Sequence, residues 1–266
     1  MIEGSVSTLS MLCMGISAVV SFALPVVLYL FFRKRFGASG KAFWTGAAVF
    51  VLFALVLERF LHQAVLGSTA GERMQNNIWL YALYGGLAAG IFEETGRFLA
   101  MRVVLKKEWA NDGNALMYGA GHGGAEAALL LGLTMISNLA LSVMINTGSL
   151  ESILKTVPAE ALDQAQTQLR ALVETQPTDF LLGIVERLIA VTFHLALSVL
   201  VWFSATKKGS IWLYPLAILL HALMDAAAVI VSKYASILLT ECTIALITLL
   251  TVLLARAAWK RHRAID

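Results

Sequence analysis

Two adjacent glutamates and an arginine, Glu93, Glu94 and Arg97, sit inside an apolar run from about Ile78 to Leu105. Such a run is long enough to cross a bilayer as a helix. An ionisable group at mid-membrane depth costs at least ~2.5–3.5 kcal/mol on insertion scales, so three in five residues need a reason. On a helix Glu93 and Arg97 are one turn apart, and one glutamate can pair with the arginine. The other is left without an obvious local partner. Two readings follow: a buried ion pair joining helices, or a carboxylate held in a water-containing pocket of low dielectric, the setting of a general base.

Three further stretches carry chemistry-bearing side chains inside apolar runs. Tyr118-Gly119-Ala120-Gly121-His122-Gly123-Gly124-Ala125-Glu126 puts His122 and Glu126 on one helix face. Its glycines would let another backbone approach closely in a membrane bundle, or tolerate non-helical backbone or a substrate strand. Glu186, Arg187 and His194 lie on the next apolar run, with Glu186-Arg187 readable as a structural pair and His194 nearer the middle. His221 and Asp225 are again one turn apart, so the aspartate can hold or orient the imidazole. At ~1.5 Å per residue, Glu93, Glu94, His122, His194 and His221 all fall in the cytoplasmic half of their helices, within roughly two turns of one another. Four helices bringing polar groups to one depth is the mark of a site. Glu58, Arg59 and His62 lie toward the outer end of their run and read as a local structural cluster, and Glu241 has no assigned role.

The elements that must position these groups are membrane helices. Of 266 residues, 59% are hydrophobic and 14% charged, with a mean hydropathy of +0.77, whereas a soluble domain carries about 25% charged residues. A net charge of only +3 gives no reason to expect a nucleic-acid partner. Cys13 and Cys242, in apolar runs near opposite ends, predict small core residues rather than a disulfide framework or zinc-thiolate site. Seven apolar segments follow one another, at about Ser5–Phe32, Ala42–Leu66, Ile78–Leu105, Ala115–Ile145, Phe180–Ala205, Ile211–Val231 and Ala235–Ala258. The first is too long for a signal-peptide core and lacks a basic flank, so it predicts a retained helix. With the first loop placed in the cytoplasm, thirteen of the 20 lysines and arginines, from Arg33 to Arg263, fall on that side. Arg73, Lys155, Arg170 and Lys233 fall on the other. The positive-inside rule then predicts an all-α, polytopic membrane bundle of about seven transmembrane helices, N-terminus outside and C-terminus cytoplasmic. Residues 1–266 read as one integral-membrane domain of the bacterial cytoplasmic membrane, with a motif-bearing core at about 78–231. The long loop at about 146–179 carries an amphipathic pattern over Ala159–Val173, suited to a packed connector or a lid.

The order Glu-Glu-x-x-Arg, then Tyr118-x-x-x-His122, then His221-x-x-x-Asp225 on successive helices resembles the CAAX-protease and bacteriocin-processing superfamily. It is most similar to its YhfC branch of glutamic-type intramembrane proteases. The likeness covers about Ile78 to Asp225, and the first and last helices carry no motif. Two residues, Thr95 and Gly96, separate the second glutamate from the arginine, where the superfamily more often has three. That spacing leans toward the PrsW-type relatives. Asp225 stands where the third motif usually closes on asparagine. The resemblance implies that Glu93 with His122 activates water while His221 with Asp225 steadies the tetrahedral intermediate.

The sequence therefore predicts an intramembrane endopeptidase acting on a membrane-anchored protein or peptide within the lipid bilayer. Glu93 or Glu94 is the general base and later proton donor, His122 orients the water, and His221, with His194, donates to the oxyanion. Arg97 compensates the glutamate pair; Glu126 and Asp225 orient histidines. No cofactor is expected on this reading. A first alternative is a zinc peptidase with His122, His194, His221 and Glu93 as ligands, ranked lower because no His-Glu-x-x-His occurs. A second is a proton-coupled small-solute transporter, since Glu/His chains also make proton relays, although no internal repeat of the transporter kind is visible.

Overall fold

The computed structural model describes residues 4–150, 154 and 158–262. Lys155 and Arg263 of the charge pattern, and residues 151–153 and 155–157 of the long loop, lie outside the described residues. Among the described residues the structure is helical and has no strand. The helices are α1 (Thr8–Phe36), α2 (Gly40–Leu66), a short α3 (Thr69–Gln75), α4 (Ile78–Leu99), α5 (Gly113–Asn146), α6 (Ala159–Glu174), α7 (Asp179–Thr206), α8 (Leu213–Tyr234) and α9 (Ile237–His262).

The starts of α2 and α4 are capped by side-chain oxygens that satisfy otherwise orphaned amides. Ser39 accepts from Lys41 N at α2, and Asn77 accepts from Trp79 N and Leu80 N at α4. Three stretches are π-helical: Phe50–Glu58 within α2, Ala100–Val104 directly after α4, and Ala127–Gly132 within α5. Six helices, α1, α2, α5, α7, α8 and α9, are long and apolar enough to cross a membrane, and the protein is a multi-pass integral membrane protein. The remaining long helix, α4, is diluted by its glycines and by Glu93, Glu94 and Arg97.

The chain forms two compact units. One consists of Met1–Leu24 and Ala127–Arg187. Its core gathers Cys13, Met14, Ala18, Met135, Leu172 and Phe180. The amphipathic helix α6 takes part in this core through Leu172. Asn146 clamps the start of the chain, accepting from Val6 N at 2.8 Å and donating to Val6 O at 2.9 Å. Glu186 and Arg187 are hydrogen-bonded to each other, as a local pair.

The other unit, Pro25–Glu126 and Leu188–Asp266, holds every group of the polar constellation. Its interior includes Phe43, Phe50, Met101, Tyr118, Leu197, Trp202 and Phe203. Helices α4 and α8 cross closely because Gly90 presents no side chain: a Cβ there would lie 2.7 Å from the carbonyl oxygen of Ile218. The glycine-rich start of α5 behaves alike, with Gly121 against the backbone of Phe43 in α2 and Gly119 against Leu195 of α7. These glycines serve backbone approach, and the stretch stays helical throughout. Cys242 departs from the expected core position and is exposed on α9.

Candidate active site

Helix α4 delivers Glu93, Glu94 and Arg97; the first half of α5 delivers Tyr118, His122 and Glu126; α7 delivers His194; and α8 delivers His221 and Asp225. Glu94, Arg97 and His122 are fully buried, and Glu93, His194 and His221 nearly so. Adjacent residues on a helix point about 100° apart, so Glu93 and Glu94 serve different partners.

Glu93 Oε2 lies 2.8 Å from His122 Nε2. Glu94 accepts from Arg97 Nη1 at 3.0 Å through Oε2, and its Oε1 lies 2.8 Å from His221 Nδ1. The arginine thus pairs with the glutamate three residues before it rather than with the one a full turn away. Its other terminal nitrogen reaches His194 Nδ1 at 3.0 Å. A guanidinium can only donate, so this Nδ1 is the acceptor, and the proton of a neutral His194 sits on Nε2, 2.7 Å from Glu126 Oε2. His221 Nε2 stands 3.6 Å from Asp225 Oδ2. Glu126 and Asp225 therefore each approach a histidine, but Glu126 reaches His194 across helices rather than the His122 of its own face. His221 has Glu94 as its nearer carboxylate.

The three imidazoles are neighbours. His122 and His194 rings are 4.8 Å apart, His194 and His221 rings 5.4 Å. Phe50 meets His122 edge-on and Phe193 meets His221 edge-on. The sequence offers no sign of these two walls, since a phenylalanine in an apolar helix looks like any core residue. The Arg97 guanidinium lies 6.0 Å from the Tyr118 ring centroid, within reach of a cation–π contact. Glu93, His194 and His221 each place one ligand atom within 4.8 Å of the others.

Glu58 and His62 of α2 pair with each other, and the Glu58 carboxylate lies within electrostatic reach of Asp225 and His221. His62 Nε2 is 3.1 Å from Glu58 Oε1 and its Nδ1 is 2.9 Å from Tyr84 Oη, so this cluster ties α2 to α4.

A family model described as "YhfC intramembrane metalloprotease" matches residues 20–248. The chain is 38% identical over 233 residues to the "Uncharacterized membrane protein YhfC" of Bacillus subtilis (strain 168), covering 86% of this chain and 87% of the relative. No solved structure matches the chain.

Proposed function

Because the chain belongs to the YhfC intramembrane metalloprotease family, we propose that it is a zinc-dependent endopeptidase. Its substrate on this reading is a membrane-anchored protein or peptide, and Glu93, His194 and His221 hold the ion. The observation that carries the reading is the convergence of one ligand atom from each of these three buried residues within 4.8 Å. One carboxylate and two imidazoles form a donor set used by catalytic zinc, with a fourth position left for water. Metal-binding imidazoles usually hand their other nitrogen to a carboxylate, and Glu94 and Glu126 stand in that relation to His221 and His194. His221 Nε2 and His194 Nδ1 then remain as ligating atoms. The second now receives Arg97, so ligation exchanges that hydrogen bond for a bond to the ion.

When bound, zinc supplies Lewis acidity and makes its water a nucleophile near neutral pH. The chain's own residues orient and move protons. Glu94 fixes the ring of His221, and Arg97 balances the Glu94 carboxylate. With Nε2 turned to Glu93, His122 keeps Nδ1 buried and without a hydrogen-bond partner among the described residues. A neutral ring that donates from Nε2 has its lone pair on Nδ1, which makes His122 the group to take a proton and return it to the leaving amine.

A second reading is favoured by the 2.8 Å Glu93–His122 contact and by Arg97 already seated on His194. There Glu93 is the general base toward water, His122 orients it, and His221 donates to the oxyanion, with His194 held in place by Arg97 and Glu126. Metal content and turnover of the purified protein separate the two. The zinc reading expects one zinc per chain, cleavage lost on chelation and regained with zinc, and weaker zinc binding in His221→Ala. The metal-free reading expects cleavage that survives chelation, a Glu93→Gln variant that folds but does not cleave, and His221→Ala with kcat lowered by roughly 10²–10³ at little change in KM.

A further inference from the structure

Away from the imidazole cluster, α5, α7 and α9 enclose a cavity of about 280 Å³. Leu116, Thr192, Ala196 and Val199 form its apolar wall, and Arg256 and Trp259 stand at the basic end of α9. Thr192, Ala196 and Val199 repeat at helical spacing on one face of α7, and His194 points from the opposite face. The cavity is therefore a groove of its own, not an arm of the candidate active site. Thr192 and Arg256 are exposed, so it opens to the surroundings.

We propose that this groove binds one acyl chain of an anionic phospholipid, with the headgroup phosphate against the Arg256 guanidinium. Two observations support this occupant. The wall is apolar apart from Thr192, as hydrocarbon requires. Arg256 has no carboxylate partner among the described residues, and Lys260, Arg261 and Trp259 follow within a turn or so. Basic side chains beside an interfacial aromatic are the signature of anionic headgroup contact.

The test is native mass spectrometry of the full chain released from nanodiscs of equal phosphatidylglycerol and phosphatidylethanolamine. The wild type should retain a phosphatidylglycerol adduct about fivefold over phosphatidylethanolamine, the preference one basic side chain gives at an anionic surface. Arg256→Gln should bring that ratio near one. Thr192→Trp, which fills the groove from its exposed rim, should remove the adduct of both lipids. Ala255→Phe does the same from α9 and serves if the first variant misfolds. Equal retention of the two lipids by the wild type overturns the proposal. So does an adduct unchanged by Arg256→Gln and by both filling variants, or retention of an apolar helical peptide in place of lipid.

Discussion

Arg97 links three members of the polar cluster: it donates to Glu94 and to His194 and lies near the Tyr118 ring. Removing one partner of a buried ion pair costs about 3–5 kcal/mol, because the other charge is left in low dielectric. Arg97→Met should accordingly lower the thermal midpoint in detergent strongly. Adding Glu94→Gln should recover part of the loss, since the carboxylate that Arg97 pairs with is then gone. On the zinc reading the same variant frees His194 Nδ1, so zinc should stay bound while the midpoint falls. Loss of zinc together with stability would show that Arg97 holds the ligand geometry instead. The arginine's choice of Glu94 over Glu93 could not be seen in the sequence. Spacings of three and four residues both bring side chains together on a helix, and what decides between them is how far α4 is rotated toward His122 and His221. A single sequence does not state that rotation.

At the scale of elements, the α4–α8 crossing sets the distance between Glu94 and His221. A side chain at Gly90 would run into the Ile218 carbonyl, which belongs to a helix backbone and cannot step aside. Gly90→Ala should cost about 1–3 kcal/mol by overpacking. It should also lower turnover more than that loss of stability explains, because the 2.8 Å contact lies one turn away. Gly85→Ala is the matched control, since a Cβ there meets nothing within 4 Å. Melting and cleavage measured on both variants check the argument. The helices themselves were legible: the run at Ala42–Leu66 is found at Gly40–Leu66, and that at Phe180–Ala205 at Asp179–Thr206. Apolar length alone carries that information. The π-helical stretches were not legible, because a change from i+4 to i+5 hydrogen bonding leaves no pattern in an apolar run such as Phe50–Glu58. Partner choice across helices was equally hidden, as Glu126 reaching His194 shows.

For the whole molecule, the asymmetry of lysine and arginine remains the argument for orientation: N-terminus outside, C-terminus in the cytoplasm. Reporter fusions after Lys41, Lys107 and Lys208 should all read cytoplasmic, and an outside signal at any one of them contradicts this arrangement. A different consequence follows from the π-helical stretch of α2. It runs from Phe50, which meets His122, to Glu58, which pairs with the His62 that reaches Tyr84. A π-bulge is in effect one residue added to an α-helix, and it takes up the phase error of that addition locally. Removing one residue, such as Ala54, should let the helix close regularly without rotating either end by the ~100° that a deletion elsewhere in a helix imposes. Such a variant should still insert, fold and cleave, whereas deleting Ala47 from the preceding α-helical turn should not. Evolution meets the same choice, so single-residue length differences among relatives of this chain are expected to collect at 50–58, 100–104 and 127–132, where a helix can change its count without changing what it points at.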